Sequence, residues 1–162
     1  MKRICSISLF AACVLLLSLV GLPTPAPGQA QELLINPGFE DDFLYWTKAP
    51  GRATFAIVAA PVHGDSRAAL LTRTGSNGYA LIYQKVDVTV GQYYVLSGWA
   101  IWNDDWLSNV KLRLRWLDGP GGTQIGDIVE VAAPSRSAAW QSLTTGPAAA
   151  PGPREPSPNP FR

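Results

Sequence analysis

Trp102 and Trp106 bracket the polar triplet Asn103-Asp104-Asp105. Indoles beside planar polar groups suit one kind of recognition. The apolar ring face stacks on the C–H surface of a sugar, while amides, carboxylates and guanidinium groups fix its hydroxyls. Polar neighbours make full burial of both rings costly, so this stretch is where a wet aromatic platform is expected. Arg113 and Arg115, with Lys111, recur at every second position just downstream. They can donate to the hydroxyls or carboxylates of a polysaccharide, or they form a solvated basic stripe. Trp99 lies in a segment that is largely apolar at both odd and even positions from 93 to 102, so it reads either as platform or as core. Trp46, Trp116 and Trp140 read as core, because a large aromatic in a small domain is more often buried than displayed.

Other chemistries find little support in the residues. Glycoside hydrolysis needs two carboxyl groups flanking a cleft, one with a raised pKa. Asp41, Asp42, Asp104, Asp105 and Glu130 supply acids without any surrounding signature. The single histidine, His63, sits in His-Gly-Asp-Ser, with no nucleophile elbow around any serine and no second imidazole for a two-histidine metal site. The glycines of 119–122 follow a predicted strand and open no helix, so they make a turn rather than a phosphate cradle. These absences predict a chain that is not an enzyme. A formal net charge of +1 with no run of Lys or Arg excludes the basic stripe that nucleic-acid binding requires.

The chain has 162 residues, 15% of them charged and 47% hydrophobic, enough for one ordinary domain. Residues 1–30 read as a secretory signal peptide: Lys2 and Arg3, an apolar run from Ile4 to Val20, Pro23, Pro25 and Pro27, then Gly28-Gln29-Ala30 with cleavage after Ala30. The run is short for a membrane span, which takes about 20 apolar residues. A lipid-modified Cys13 is disfavoured by Phe10 and by the apolar run that continues beyond it. Both cysteines of the chain, Cys5 and Cys13, fall inside this leader. The mature chain therefore carries no disulfide, no thiol catalysis and no cysteine-ligated zinc. The expected location is secreted or cell-surface, with no membrane span after processing.

Downstream of the leader the periodicity is of the two-residue kind, with turn signals every eight to twelve residues, which predicts an all-β antiparallel sandwich. Strands are expected at 33–35, 53–59, 68–73, 81–88, 92–102, 110–118, 124–131 and 139–144. Asn36-Pro37-Gly38 ends the first as a turn. The long strands 92–102 and 110–118 are expected to pair with each other. Val110, Leu112, Leu114 and Trp116 share one face of the second, and Lys111, Arg113 and Arg115 the other, an alternation that is half core and half water. From Gly146 the text turns proline-rich without apolar period, so 146–162 is predicted to be a disordered tail and 31–145 the folded module.

A resemblance is carried by Leu33-Leu34-Ile35-Asn36-Pro37-Gly38-Phe39-Glu40, Leu44-Tyr45-Trp46, His63-Gly64, Tyr83-Gln84-Lys85-Val86, the block from Val90-Gly91-Gln92 to Ser97-Gly98-Trp99-Ala100, and Trp140-Gln141. Together these residues resemble a carbohydrate-binding module of the CenC-type, galactose-binding-like jelly-roll superfamily over about residues 32–145. The resemblance implies a jelly roll, a non-catalytic polysaccharide- or glycan-binding function, and a structural Ca2+. The calcium ligands so implied are Glu40 and Asp65, helped by carbonyls around 63–65; solvated loop acids are the plainer reading of both. It also implies that the module lacks about its last two strands, since the proline tail stands where they belong. That leaves a sheet edge open for a partner domain or chain. A structural or adhesion sandwich that has lost the sugar site and makes protein–protein contacts is the alternative function.

Overall fold

The computed structural model describes residues 3–6, 30–49, 51, 53–75 and 79–152. The described residues form an all-β antiparallel structure with no helix. Its strands in chain order are β1 (Arg3–Ser6), β2 (Thr47–Lys48), β3 (Ala53–Val58), β4 (Ala68–Arg73), β5 (Ile82–Tyr83), β6 (Lys85–Val88), β7 (Tyr93–Tyr94), β8 (Ser97–Trp102), β9 (Lys111–Leu114), β10 (Trp116–Leu117), β11 (Val129–Ala132), β12 (Ser137–Thr144) and β13 (Ala148–Ala149). One sheet has three strands in the order β10-β1-β6. The rest pair as β11-β9, β12-β8, β13-β7, β2-β5 and β3-β4.

Alternation decides which residues fill the interior. In β9 and β10 Leu114 and Trp116 are buried while Lys111, Arg113 and Arg115 are exposed, the parity anticipated from the sequence. Leu34, Trp46, Leu96, Leu114, Trp116, Ile125 and Ala150 form the main core. Trp102, Ala133 and Leu143 form a second cluster. Leu112 packs against both, so the two interiors are continuous through β9.

The expected pairing of 92–102 with 110–118 is not what forms. β8 takes β12, with Gly98 opposite Leu143 and Ala100 opposite Gln141, and β9 takes β11, with Leu112 opposite Val131. Both pairs send apolar side chains into the same second cluster, Ala100 and Trp102 from one and Leu112 and Val131 from the other. The loop 103–109 therefore connects two hydrogen-bonded pairs instead of closing a hairpin.

The segment 33–35 is not a strand either. Ile35 N–H donates to Gln84 Oε1 at 2.9 Å and Gln84 Nε2 donates to Ile35 O at 2.6 Å. A buried side-chain amide thus takes the place of a neighbouring strand. It does so at the residue that separates β5 from β6.

The turn that follows is held in unusual backbone. Asn36, Phe39, Asp42 and Tyr45 have φ of 52°, 63°, 53° and 69°, a region that L-residues with bulky side chains occupy at a cost of about 1–2 kcal/mol each. The Asn36 amide holds the turn, donating to Asp42 O (3.0 Å) and Leu44 O (3.2 Å) and accepting from Asp41 N–H (3.1 Å). Trp46 Nε1 donates to Asn36 O at 2.8 Å. Phe39 packs on Trp46 with ring centroids 5.0 Å apart. Packing of the half-buried Phe39 on the buried Trp46 ring offsets the strain, and the left-handed positions fall on Asn36 and Phe39 rather than on Gly38.

Two further differences lie at the ends. The tail was expected to be unstructured from Gly146, but Ala148 and Ala149 pair with Tyr94 and Tyr93, and Ala150 is only 3% exposed. The Ala150 methyl belongs to the main core, and Ala150 N–H donates to Gln92 O while its carbonyl accepts from Gly91 N–H, both at 2.9 Å. The folded unit extends at least to Gly152; 153–162 lies outside the described residues. At the other end Arg3–Ser6, within the expected leader, forms the middle strand β1. Cys13 and the expected cleavage motif at 28–29 lie outside the described residues.

Candidate functional site

The parity of β8 separates two of the candidate platform indoles, Trp99 and Trp102. Gly98 and Trp102 point inward and are buried, whereas Trp99 points out. Trp102 is 8% exposed and belongs to the second core cluster, with Nε1 donating to Asp104 O at 3.3 Å. This corrects the expectation that Trp102 is wet: it is the last residue of an inward-facing row, not the first of a loop. Trp106 is the opposite case, 80% exposed.

The loop that carries Trp106 is fixed by its own polar groups. Trp106 N–H donates to Asp104 Oδ1 at 2.8 Å, Leu107 N–H to Asp104 O at 3.3 Å, and Arg73 Nη2 to Trp106 O. Asp105 pairs with Arg136. The two aspartates are thus committed to shaping the loop. The indole itself is left in water.

Of the basic residues on the outer face of β9, Lys111 and Arg113 both pair with Glu130, at 2.5 and 2.8 Å. These hydrogen bonds, from Lys111 first and then Arg113, hold the Glu130 carboxyl below its ordinary pKa. Arg113 is therefore a partner of β11 rather than an open donor. Arg115, next in the row, is exposed and makes no ion pair with the described residues.

Trp99, 39% exposed, has a neighbour that periodicity could not supply. His63, from the loop between β3 and β4, stacks on it with ring centroids 3.8 Å apart and planes 16° from parallel. His63 also meets the edge of Trp140 at 5.7 Å. Trp140 Nε1 donates to Val62 O at 3.1 Å, which ties this loop to β12. One face of Trp99 is thereby covered, and the three rings form a surface aromatic cluster from three separated stretches of chain. No signal in the sequence joins His63 to Trp99.

A second aromatic concavity, of about 460 Å³, is lined by Asp42, Phe43, Lys48, Phe55, Ala56 and Ile57. Phe43 and Phe55 meet edge to face at 6.4 Å. Lys48 Nζ already lies over the Phe43 ring, 4.0 Å from its centroid, and Asp42 pairs with Arg67 at 2.6 Å. Its ring face and its acid are both engaged within the chain.

Glu40 and Asp65, the expected calcium ligands, are brought to one turn: a β-carbon on Gly38 would lie 2.7 Å from Asp65 Oδ2 and 3.6 Å from Glu40 Cγ. The Glu40 carboxylate, however, accepts from Ser66 N–H and Arg67 N–H, both at 3.0 Å, and from the Ser66 hydroxyl. The Ser66 hydroxyl is the main reason its pKa is held below the ordinary value. Calcium needs six to eight oxygens converging on one point, and here three hydrogens converge on the carboxylate instead. Among the described residues no group of three or more acids, histidines or cysteines is placed to hold a metal. In this arrangement the Glu40 carboxylate is held by backbone and hydroxyl donors of Ser66 and Arg67. We expect the melting temperature in millimolar calcium and in EDTA to agree within about 1 °C, because a ligand that binds only the folded state raises it in proportion to occupancy. A rise of several degrees with calcium would show that the Ser66 hydroxyl gives way to the ion.

No protein-family model, curated protein or solved structure matches the chain.

Proposed function

We propose that this chain is a non-catalytic carbohydrate-binding module of galactose-binding-like jelly-roll type, acting at the cell surface or outside the cell. Trp106 is its principal sugar platform, Trp99 a second aromatic surface and Arg115 its open hydrogen-bond donor. The observation that carries this reading is the 80% exposure of Trp106 on a loop whose backbone is held by Asp104 and Arg73. A folded chain gains by burying so large an apolar ring. Holding it out on a fixed loop forgoes that gain, and a sugar face recovers it.

The test is a glycan array and pull-down on insoluble polysaccharides with the full chain. Trp106→Ala is expected to weaken binding at least tenfold, about 1.4 kcal/mol, without change in the unfolding midpoint. Arg115→Ala is expected to weaken it less. Trp102→Ala should instead lower stability, because it empties a core position. Binding that is indifferent to Trp106 and Trp99, or the absence of any bound glycan, would overturn the proposal.

A further inference from the structure

The stretch 93–102 keeps one parity through β7 and β8. Tyr94 packs against the main core, Leu96 and Gly98 are buried, and Ala100 and Trp102 join the second cluster, so Tyr93, Val95, Ser97 and Trp99 share the outer face. Tyr93 is 71% exposed, Val95 51% and Trp99 39%. Across the ladder Ser142 stands opposite Trp99 and Thr144 opposite Ser97; both are exposed, on either side of the buried Leu143. The face therefore carries an aromatic ring at each end, six residues apart, or about 20 Å along an extended chain. Hydroxyl side chains lie in the span between them.

These strands bring no charge to the face. Neither 91–103 nor 137–152 contains a Lys, Arg, Asp or Glu, in a chain that is 15% charged. A polymer of sulfated, phosphorylated or carboxylated units is held by Lys and Arg, and these strands offer none. An exposed apolar row of this kind marks an interaction surface. Rings alternating with hydroxyls suit a polymer that presents C–H faces and hydroxyl groups along its length. His63, stacked 3.8 Å from Trp99, covers one face of the indole, so the exposure of Trp99 lies on its other face and edge. The loop that carries His63 is tied down by Trp140 Nε1 donating to Val62 O. Trp99 is thereby ordered before any ligand arrives, which lowers the entropy lost on binding.

We infer that the outer face of β7 and β8 is an elongated subsite for the backbone of an uncharged polysaccharide. Tyr93 and Trp99 stack on pyranose rings several units apart, and the hydroxyls of Ser142 and Thr144 bond to the stretch between. The inference rests on the sugar-binding reading and adds to it the class of sugar, a further binding residue in Tyr93, and the direction in which the chain lies. Trp106 is outside this subsite, on the loop beyond β8.

Affinity electrophoresis of the full chain in gels of neutral polymers (lichenan, arabinoxylan, galactomannan) and acidic ones (alginate, polygalacturonate) tests it. Retardation is expected in at least one neutral gel and in neither acidic gel, and it should be the same at low and high salt, since no charge is screened. In calorimetry the hexasaccharide of the retarding polymer should bind at least about tenfold tighter than its disaccharide. Tyr93→Ala should abolish that ratio without moving the unfolding midpoint, because the side chain is mostly in water. Trp106→Ala should leave the ratio as it is. A ratio that survives Tyr93→Ala, or a preference for the acidic polymers, would overturn the subsite while leaving Trp106 as a platform. Binding to no polymer would overturn it together with the sugar-binding reading. Sedimentation velocity examines a second copy as the occupant: a dimer that Tyr93→Ala dissociates would overturn the subsite as well.

Discussion

Leu114→Ala should lower the unfolding free energy by about 2–5 kcal/mol, the cost of removing a buried leucine and leaving part of its volume empty. Leu114 is 0% exposed and stands between Leu112, which links the two clusters, and Trp116, a buried member of the main core. The site cannot collapse easily, because its neighbours come from separate strands in separate hydrogen-bonded pairs. An ordinary domain has about 5–15 kcal/mol in total, so the variant sits near the edge of folding. Urea unfolding followed by tryptophan fluorescence gives the number, and the slope with denaturant should stay unchanged if only stability has moved. Arg115→Ala, one residue away on the outer face, should change stability by less than about 0.5 kcal/mol. Equal effects of the two substitutions would show that the alternation in β9 does not separate core from water.

That alternation is also where the sequence was most legible. A two-residue period states which residues share a face, and β3 and β4 appear within a residue of their expected bounds, while the expected 110–118 is divided into β9 and β10 at Arg115. Period does not state which strand lies alongside. The partners of β8 and β9 depend on the path of the loop 103–109, which local pattern does not encode. The same limit governs the site. From 93 to 102 both parities are apolar, so the sequence offered no means of choosing between Trp99 and Trp102 as the outward ring. Only the pairing of β8 with β12 settles it. The stacking of His63 on Trp99 spans 36 positions of chain, since it joins residue 63 to residue 99, and leaves no periodic trace. Gln84 hid in a different way. It sits in an apolar-polar stretch that reads as one strand, yet its amide pairs with the Ile35 backbone and divides the strand into β5 and β6.

Composition misled at the C-terminal side, and a pair of shortened chains measures by how much. A chain ending at Gly146 should be less stable than one ending at Gly152 by about 2–4 kcal/mol. The six residues between them supply the Ala148–Tyr94 and Ala149–Tyr93 pairing, the bonds from Ala150 N–H to Gln92 O and from Gly91 N–H to Ala150 O, and the Ala150 methyl in the main core. Each backbone bond contributes about 0.5–1.5 kcal/mol net. Their loss also exposes Tyr94, whose ring lies 6.0 Å from that of Trp116. Both chains lack 153–162, so the difference isolates residues 147–152. The proline-rich text suggested disorder because proline cannot donate to a ladder, but Pro147 and Pro151 flank the short strand and leave the Ala148, Ala149 and Ala150 donors intact. Ala150→Asp in the longer chain should reproduce much of the loss by placing a carboxylate where the methyl is buried. If both shortened chains unfold at the same urea concentration, β13 contributes nothing and the folded unit ends at Thr145.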